Sequence, residues 1–142
     1  MNVKRIQTNF LKMMLNEESV YVLKEIFPHM VGITEGHVVY FIPDCEFFLD
    51  RSKMKEVDLS WIADKSSHSL PAERTGIEKK DNSCRGRTMV EVKQGDTSIW
   101  LDAKFVDDFD KFASFNATND VSPVFVYECG MTVGVVLPIR NK

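Results

Sequence analysis

The sequence predicts an α+β fold in which two helices pack on two antiparallel sheets, with residues 1–142 forming one domain. Three observations lead there. Apolar residues recur at helical spacing in "NFLKMML" and in "AKFVDDFDKFASF", each followed by short strand-like runs with turn residues between them. A composition of 44% hydrophobic and 11% aromatic residues is enough to build a core at this length. The two halves also repeat one order, an amphipathic helix followed by antiparallel strands, which lets both helices lie on one side of the sheets.

Taken in order, "NVKRIQ" reads as an opening strand through Val3 and Ile6, and Thr8 as the N-cap of a helix over "NFLKMMLNEE" with Phe10, Met13, Met14 and Leu15 on its apolar face. "SVYVLKEIF" mixes β-branched residues with a 3–4 spacing, so helix and extended chain both stay open until Pro28 ends it. "HVVYFIP" and "CEFFLD" read as a hairpin turning at Pro43-Asp44. From Arg51 to Arg87 the pattern weakens into loops around short strands near Asp58–Ile62 and Thr75–Lys80. Gly95-Asp96 joins "TMVEVKQ" to "TSIWLD" as a second hairpin. Asp102 then caps a helix that places Phe105, Phe109 and Phe112 on one core-facing stripe. "VFVYEC" and "TVGVVLPI" close the chain as two strands around Gly130.

Charge and chemistry narrow the function. The formal net charge is only −3, with a basic surplus confined to the middle of the chain and acidic ends. No apolar stretch reaches the length of a membrane span and no secretory leader is visible, so a cytoplasmic protein without membrane contact is expected. Cys45, Cys84 and Cys129 have neither CxxC nor zinc-ligand spacing and read as reduced thiols, Cys129 packed in a strand. His29, His37 and His68 read as surface or loop residues, and Trp61 and Trp100 as packing residues. Phosphate-binding loops, dinucleotide fingerprints, HExxH and GxSxG are all missing, so no catalytic residue, metal or cofactor is assigned and no enzyme activity is expected.

The last third of the chain carries a resemblance. "KFVDDFDKF", "VSPVFVYE" and "VGVVLPIR" follow one another as do the closing helix, Ser-Pro-Val strand and final strand ending in Met/Leu-Pro-Val/Met-Arg of the bacterial sliding clamps, the DNA polymerase III beta subunits, with Leu-Pro-Ile-Arg here. The chain resembles a single clamp domain well over about its last 45 residues, weakly over its first 50 and not at all over its middle. The resemblance implies a non-catalytic DNA-replication accessory whose partners are double-stranded DNA and replication proteins.

Three consequences follow from that resemblance. Clamp rings hold six such domains, so self-association through sheet edges is expected, with six copies needed for a ring and a dimer the other outcome. DNA-facing candidates are Lys12, Lys104 and Lys111 on the helices and Arg74, Lys79, Lys80, Arg85 and Arg87 in the basic middle, although Asp102, Asp107, Asp108 and Asp110 make the second helix a poor phosphate-facing surface. Clamps also take short partner peptides in an apolar groove between the last domain and its predecessor. Matching positions are Val121, Pro123, Val135, Leu137, Pro138 and Ile139, only one half of such a groove. The alternatives are a clamp-type interaction module that has lost DNA binding and an unrelated α+β enzyme.

Overall fold

A computed structural model describes residues 1–81 and 86–139. The α+β class is correct, but among the described residues three helices accompany one mixed ten-stranded sheet rather than two helices on two antiparallel sheets. The helices are α1 (Val3–Leu15), α2 (Trp61–Ser67) and α3 (Ala103–Val106). The strands are β1 (Tyr21–Leu23), β2 (Met30–Thr34), β3 (Val38–Pro43), β4 (Lys55–Val57), β5 (Leu70–Asp81), β6 (Arg87–Gln94), β7 (Thr97–Asp102), β8 (Ser114–Ala117), β9 (Val124–Glu128) and β10 (Met131–Val136). Their order in the sheet is β4-β1-β2-β3-β10-β9-β8-β5-β6-β7, with only β1 and β4 parallel.

The opening residues are helix, not strand. Asn2, not Thr8, is the cap, its side chain accepting the Arg5 N–H at 3.1 Å. Val3, Ile6 and Phe10 recur at helical intervals and bury one face, while Thr8 sits mid-helix with its hydroxyl turned back to the Lys4 carbonyl. Gln7, fully buried on that same face, holds the next layer of chain. Its amide donates to the Glu46 carbonyl at 2.9 Å and its oxygen accepts the Phe48 N–H at 2.8 Å. These bonds fix residues 44–49 as a single 3-10 turn and a loop over α1, which is why "CEFFLD" is not a strand. The first hairpin turns instead at Glu35–His37, between β2 and β3, with Gly36 at φ +115. Gln7→Leu keeps the volume but strands both backbone groups, and we expect it to destabilise the fold by about 2 kcal/mol in urea titrations. An unchanged midpoint would mean that the loop finds other partners.

Strand β3 separates two cores by simple alternation. Val38, Tyr40 and Ile42 face a large cluster that includes Ile6 and Phe10 of α1, Val90 and Val92 of β6, and Val106 of α3. Val39 and Phe41 face the other side, where Ile62 of α2 and Phe125 and Val135 close a smaller cluster. Helices α1 and α3 therefore lie on one face, and the residues flanking them meet, the Asn2 N–H donating to the Asp108 carbonyl at 2.9 Å. Helix α2 covers the opposite face, where the sequence suggested a strand near Asp58–Ile62.

The middle of the chain is the most ordered departure from expectation. Thr75–Lys80 belongs to the 12-residue β5, whose first residues pair with β8 and whose remainder pairs with β6 across a register shift between Arg74 and Glu78. The hairpin at Gly95-Asp96 and the two closing strands lie where expected. Helix α3 begins at Asp102 as expected, with the carboxylate accepting the Lys104 N–H at 3.0 Å, but ends after one turn at Val106. Phe109 is consequently buried, Phe105 half-buried and Phe112 84% exposed, so the three do not form a continuous stripe. Cys129 stands exposed in the β9–β10 turn at φ +52 rather than packed in a strand. Among the described residues no helix is long and apolar enough to cross a membrane.

Beyond β10 the chain crosses to the far edge of the sheet. Leu137 donates its N–H to the His37 carbonyl at 3.0 Å, and Ile139 donates to the Trp100 carbonyl of β7 at 2.8 Å. Since β7 is the terminal strand of the sheet, the sheet must curl for the end of β10 to reach it.

Candidate peptide groove

The face covered by α2 carries an apolar depression. Val135 of β10 is paired directly opposite Val39 of β3, which places both side chains on this face. Around them stand Tyr21 from β1, Val57 from β4, Leu59 and Trp61 at the start of α2, and Leu137 just past β10. They enclose a cavity of about 280 Å³ whose wall is overwhelmingly apolar. Trp61 is 40% exposed and Leu137 42% exposed, so the depression opens to solvent. Trp61 is therefore a wall of the site and not the plain packing residue its sequence context suggested.

A second cavity of about 280 Å³ adjoins the first, sharing His37 and Leu137. Its lining is mixed: Phe105, Val121, Pro138 and Ile139 with Arg87 and Asp102. Together the two make one groove, apolar at the α2 end and polar at the β6–β7 end. Of the candidate groove residues, Val135 and Leu137 line the apolar half, and Val121, Leu137, Pro138 and Ile139 the polar half. Pro123, half-buried just before β9, lines neither. The rest of the apolar half comes from the N-terminal part of the chain, through Tyr21, Thr34, Gly36, Val39, Val57, Leu59 and Trp61.

The junction between the halves is a rigid turn. Thr34 Oγ1 donates to the Val38 carbonyl at 2.7 Å and accepts the Gly36 N–H at 3.0 Å. The Glu35 carboxylate accepts the backbone N–H groups of His37 and Val38, at 2.5 and 2.9 Å, and lies 3.0 Å from His37 Nδ1. Opposite, Arg87 is held by Asp81 at 2.5 Å and Asp102 by its cap on α3.

The basic candidates do not converge. Lys12 is exposed in the last turn of α1, Lys104 is exposed on α3, and Lys111 lies beyond it in a loop. On β5, the Lys79 ammonium sits 4.0 Å over the Trp100 ring while the next residue, Lys80, bonds Thr88 on the other face of the strand. Arg74 is exposed before the register shift and Arg87 is paired with Asp81. Arg85, like Cys84, lies outside the described residues. Between α1 and α3 the surface is of mixed sign, with Arg5 bound to Asp108 at 2.9 Å and to the Asp107 carbonyl at 2.7 Å.

Both sheet edges are modified. β4 is three residues long with Lys55 and Glu56 exposed, and the Trp100 carbonyl on β7 is occupied by Ile139. Short, charged or covered edges are how sheets discourage edge-to-edge pairing. No family model matches the chain, and searches of curated proteins and of solved structures find no match.

Proposed function

We propose that this chain is a non-catalytic protein-interaction module of the sliding-clamp type, a replication accessory that docks short apolar peptide segments of partner proteins in the groove at the end of β10. The observation that carries the reading is the meeting of Val135 and Leu137 with Val39, Val57, Leu59 and Trp61 in one open apolar cavity. A site of about 280 Å³ accepts one or two apolar side chains rather than a folded surface. The adjoining polar half gives an extended peptide a place to continue. The placement of α1 and α3 side by side on one sheet face also favours the clamp-type reading, since it is the arrangement implied by the resemblance.

Encirclement of DNA receives less support. A ring would require six copies, the edges that would join them are short or covered, and the cations that would face phosphates point in several directions. Light scattering over a range of concentrations at low salt is expected to give a monomer, and a stable hexamer would restore the ring.

The groove itself is tested with a fluorescently labelled short polymerase peptide of the kind clamps bind. Saturable binding is expected, with NMR shifts concentrated at Val39, Val135 and Leu137 and at the Trp61 indole. Leu137→Asp, an exposed substitution, should weaken binding at least tenfold by placing a charge in the apolar half. Shifts located elsewhere, or binding indifferent to Leu137→Asp, would refute the assignment.

A further inference from the structure

We infer that His37 is a specificity-determining residue of the groove, one whose protonation switches the groove's preference toward a peptide carrying a carboxylate beside its apolar anchor. This inference rests on the peptide-groove reading. Among the described residues His37 is the one titratable side chain common to the two halves of the groove, and its side chain is 73% exposed there. Its backbone is fixed on three sides: its N–H bonds Glu35, its carbonyl accepts Leu137, and the following Val38 N–H also bonds Glu35.

The ring has little freedom in how it uses its nitrogens. With Nδ1 only 3.0 Å from a Glu35 oxygen, the neutral imidazole places its proton on Nδ1 and donates to that carboxylate. Nε2 is then an acceptor. A second proton converts Nε2 into a donor while the Glu35 contact is kept. Thus one proton reverses the hydrogen-bond polarity at the junction and adds a positive charge to it. The groove is otherwise lined, among the described residues, by one titratable side chain in its apolar half, Tyr21 of β1, and by two charged groups in its polar half, Arg87 of β6 and Asp102 of β7. Each is already engaged, Arg87 with Asp81 and Asp102 with the α3 N-terminus, so neither has to move when the imidazole titrates. A peptide glutamine donates to the neutral ring, whereas a glutamate is matched only by the imidazolium.

The test uses paired labelled peptides that share one apolar anchor and carry Glu or Gln at each of the three positions preceding it. Affinities are measured by anisotropy from pH 8 to pH 5.5, with the His37 ring followed by NMR over the same range. At one position the Glu peptide is expected to tighten roughly three- to tenfold between pH 8 and pH 5.5, and its Gln partner not. In His37→Gln, whatever its affinity at pH 8, the Glu and Gln peptides should no longer diverge as the pH is lowered. A pH-independent preference, or the same dependence in His37→Gln, overturns the role of His37 while leaving the groove intact. Failure of every peptide to bind at any pH overturns the groove reading and this inference together.

Discussion

Asp108→Ala is expected to lower the stability of the folded chain by about 3 kcal/mol in denaturant unfolding, although Asp108 touches no part of the groove. Asp108 follows α3 and is buried where that helix meets α1 and β3. One carboxylate oxygen accepts from Arg5 Nε at 3.0 Å and the other accepts the Tyr40 hydroxyl at 2.5 Å. The two partners are unequal. The Arg5 side chain is 47% exposed, so its ion pair is screened and water replaces it easily, whereas Tyr40 is 3% exposed and has no such recourse. Most of the loss therefore comes from a buried phenol left without an acceptor. Asp108→Asn, which retains an acceptor for that phenol, should recover more than half of it. In a double-mutant cycle, Tyr40→Phe should cost distinctly less in the Asp108→Ala background than in the native chain. Additive losses would mean that the two side chains act independently.

Tyr40 should also make the fold less stable at alkaline pH. Burial foremost, and then the hydrogen bond and negative charge of Asp108, hold the Tyr40 phenol well above the ordinary phenol range. A group whose acidity is weakened by folding contributes stability below its unfolded pKa and loses it above. Unfolded chains release the Tyr40 proton near pH 10 while the native state retains it, so stability should fall there by about 1.4 kcal/mol per pH unit. Tyr40→Phe should make that decline shallower by one proton's worth.

What the sequence made visible follows the range of the interactions involved. The Gly95-Asp96 hairpin, the Asp102 cap and the closing strands are local, written in residues a few positions apart, and the structure places them as expected. β5 was legible only as a short strand near Thr75–Lys80, because Glu73–Lys80 is exposed throughout and leaves no alternation to mark its full length. α2 was hidden because Ile62 is its only buried residue, too little for a helical period. At the N-terminus the spacing of Val3, Ile6 and Phe10 already carried the helix, and taking Thr8 as its cap began it too late. The groove divides the same way. Val135 and Leu137 were reachable through the resemblance of the last strand, but their companions Val39 and Trp61 were not, since only the β3–β10 pairing brings them there. No spacing within either segment announces a pairing made across roughly a hundred residues.

Gly134→Ala tests the strand on which that pairing depends, and we expect it to destabilise the fold by about 2–3 kcal/mol, the upper part of the range for overpacking a core. Gly134 is buried in β10 opposite Tyr40, next to the register shift after Thr132. A methyl group there would collide with the Phe109 ring and lie 3.0 Å from the Val39 carbonyl oxygen. Phe109 cannot easily yield, because its ring leans on Tyr40 with centroids 5.5 Å apart, and Tyr40 is tied to Asp108. The backbone of β10 would have to move instead. Phe109→Leu, which shortens the obstructing ring, should cost about 1 kcal/mol alone and restore part of the loss when combined with Gly134→Ala. Because Val135 follows directly and lines the groove, a displaced β10 should also weaken peptide binding in Gly134→Ala, and the Phe109→Leu double variant should regain it. A variant that loses stability but binds peptide as before would place the groove's geometry in the β3 turn and α2, with β10 contributing only surface.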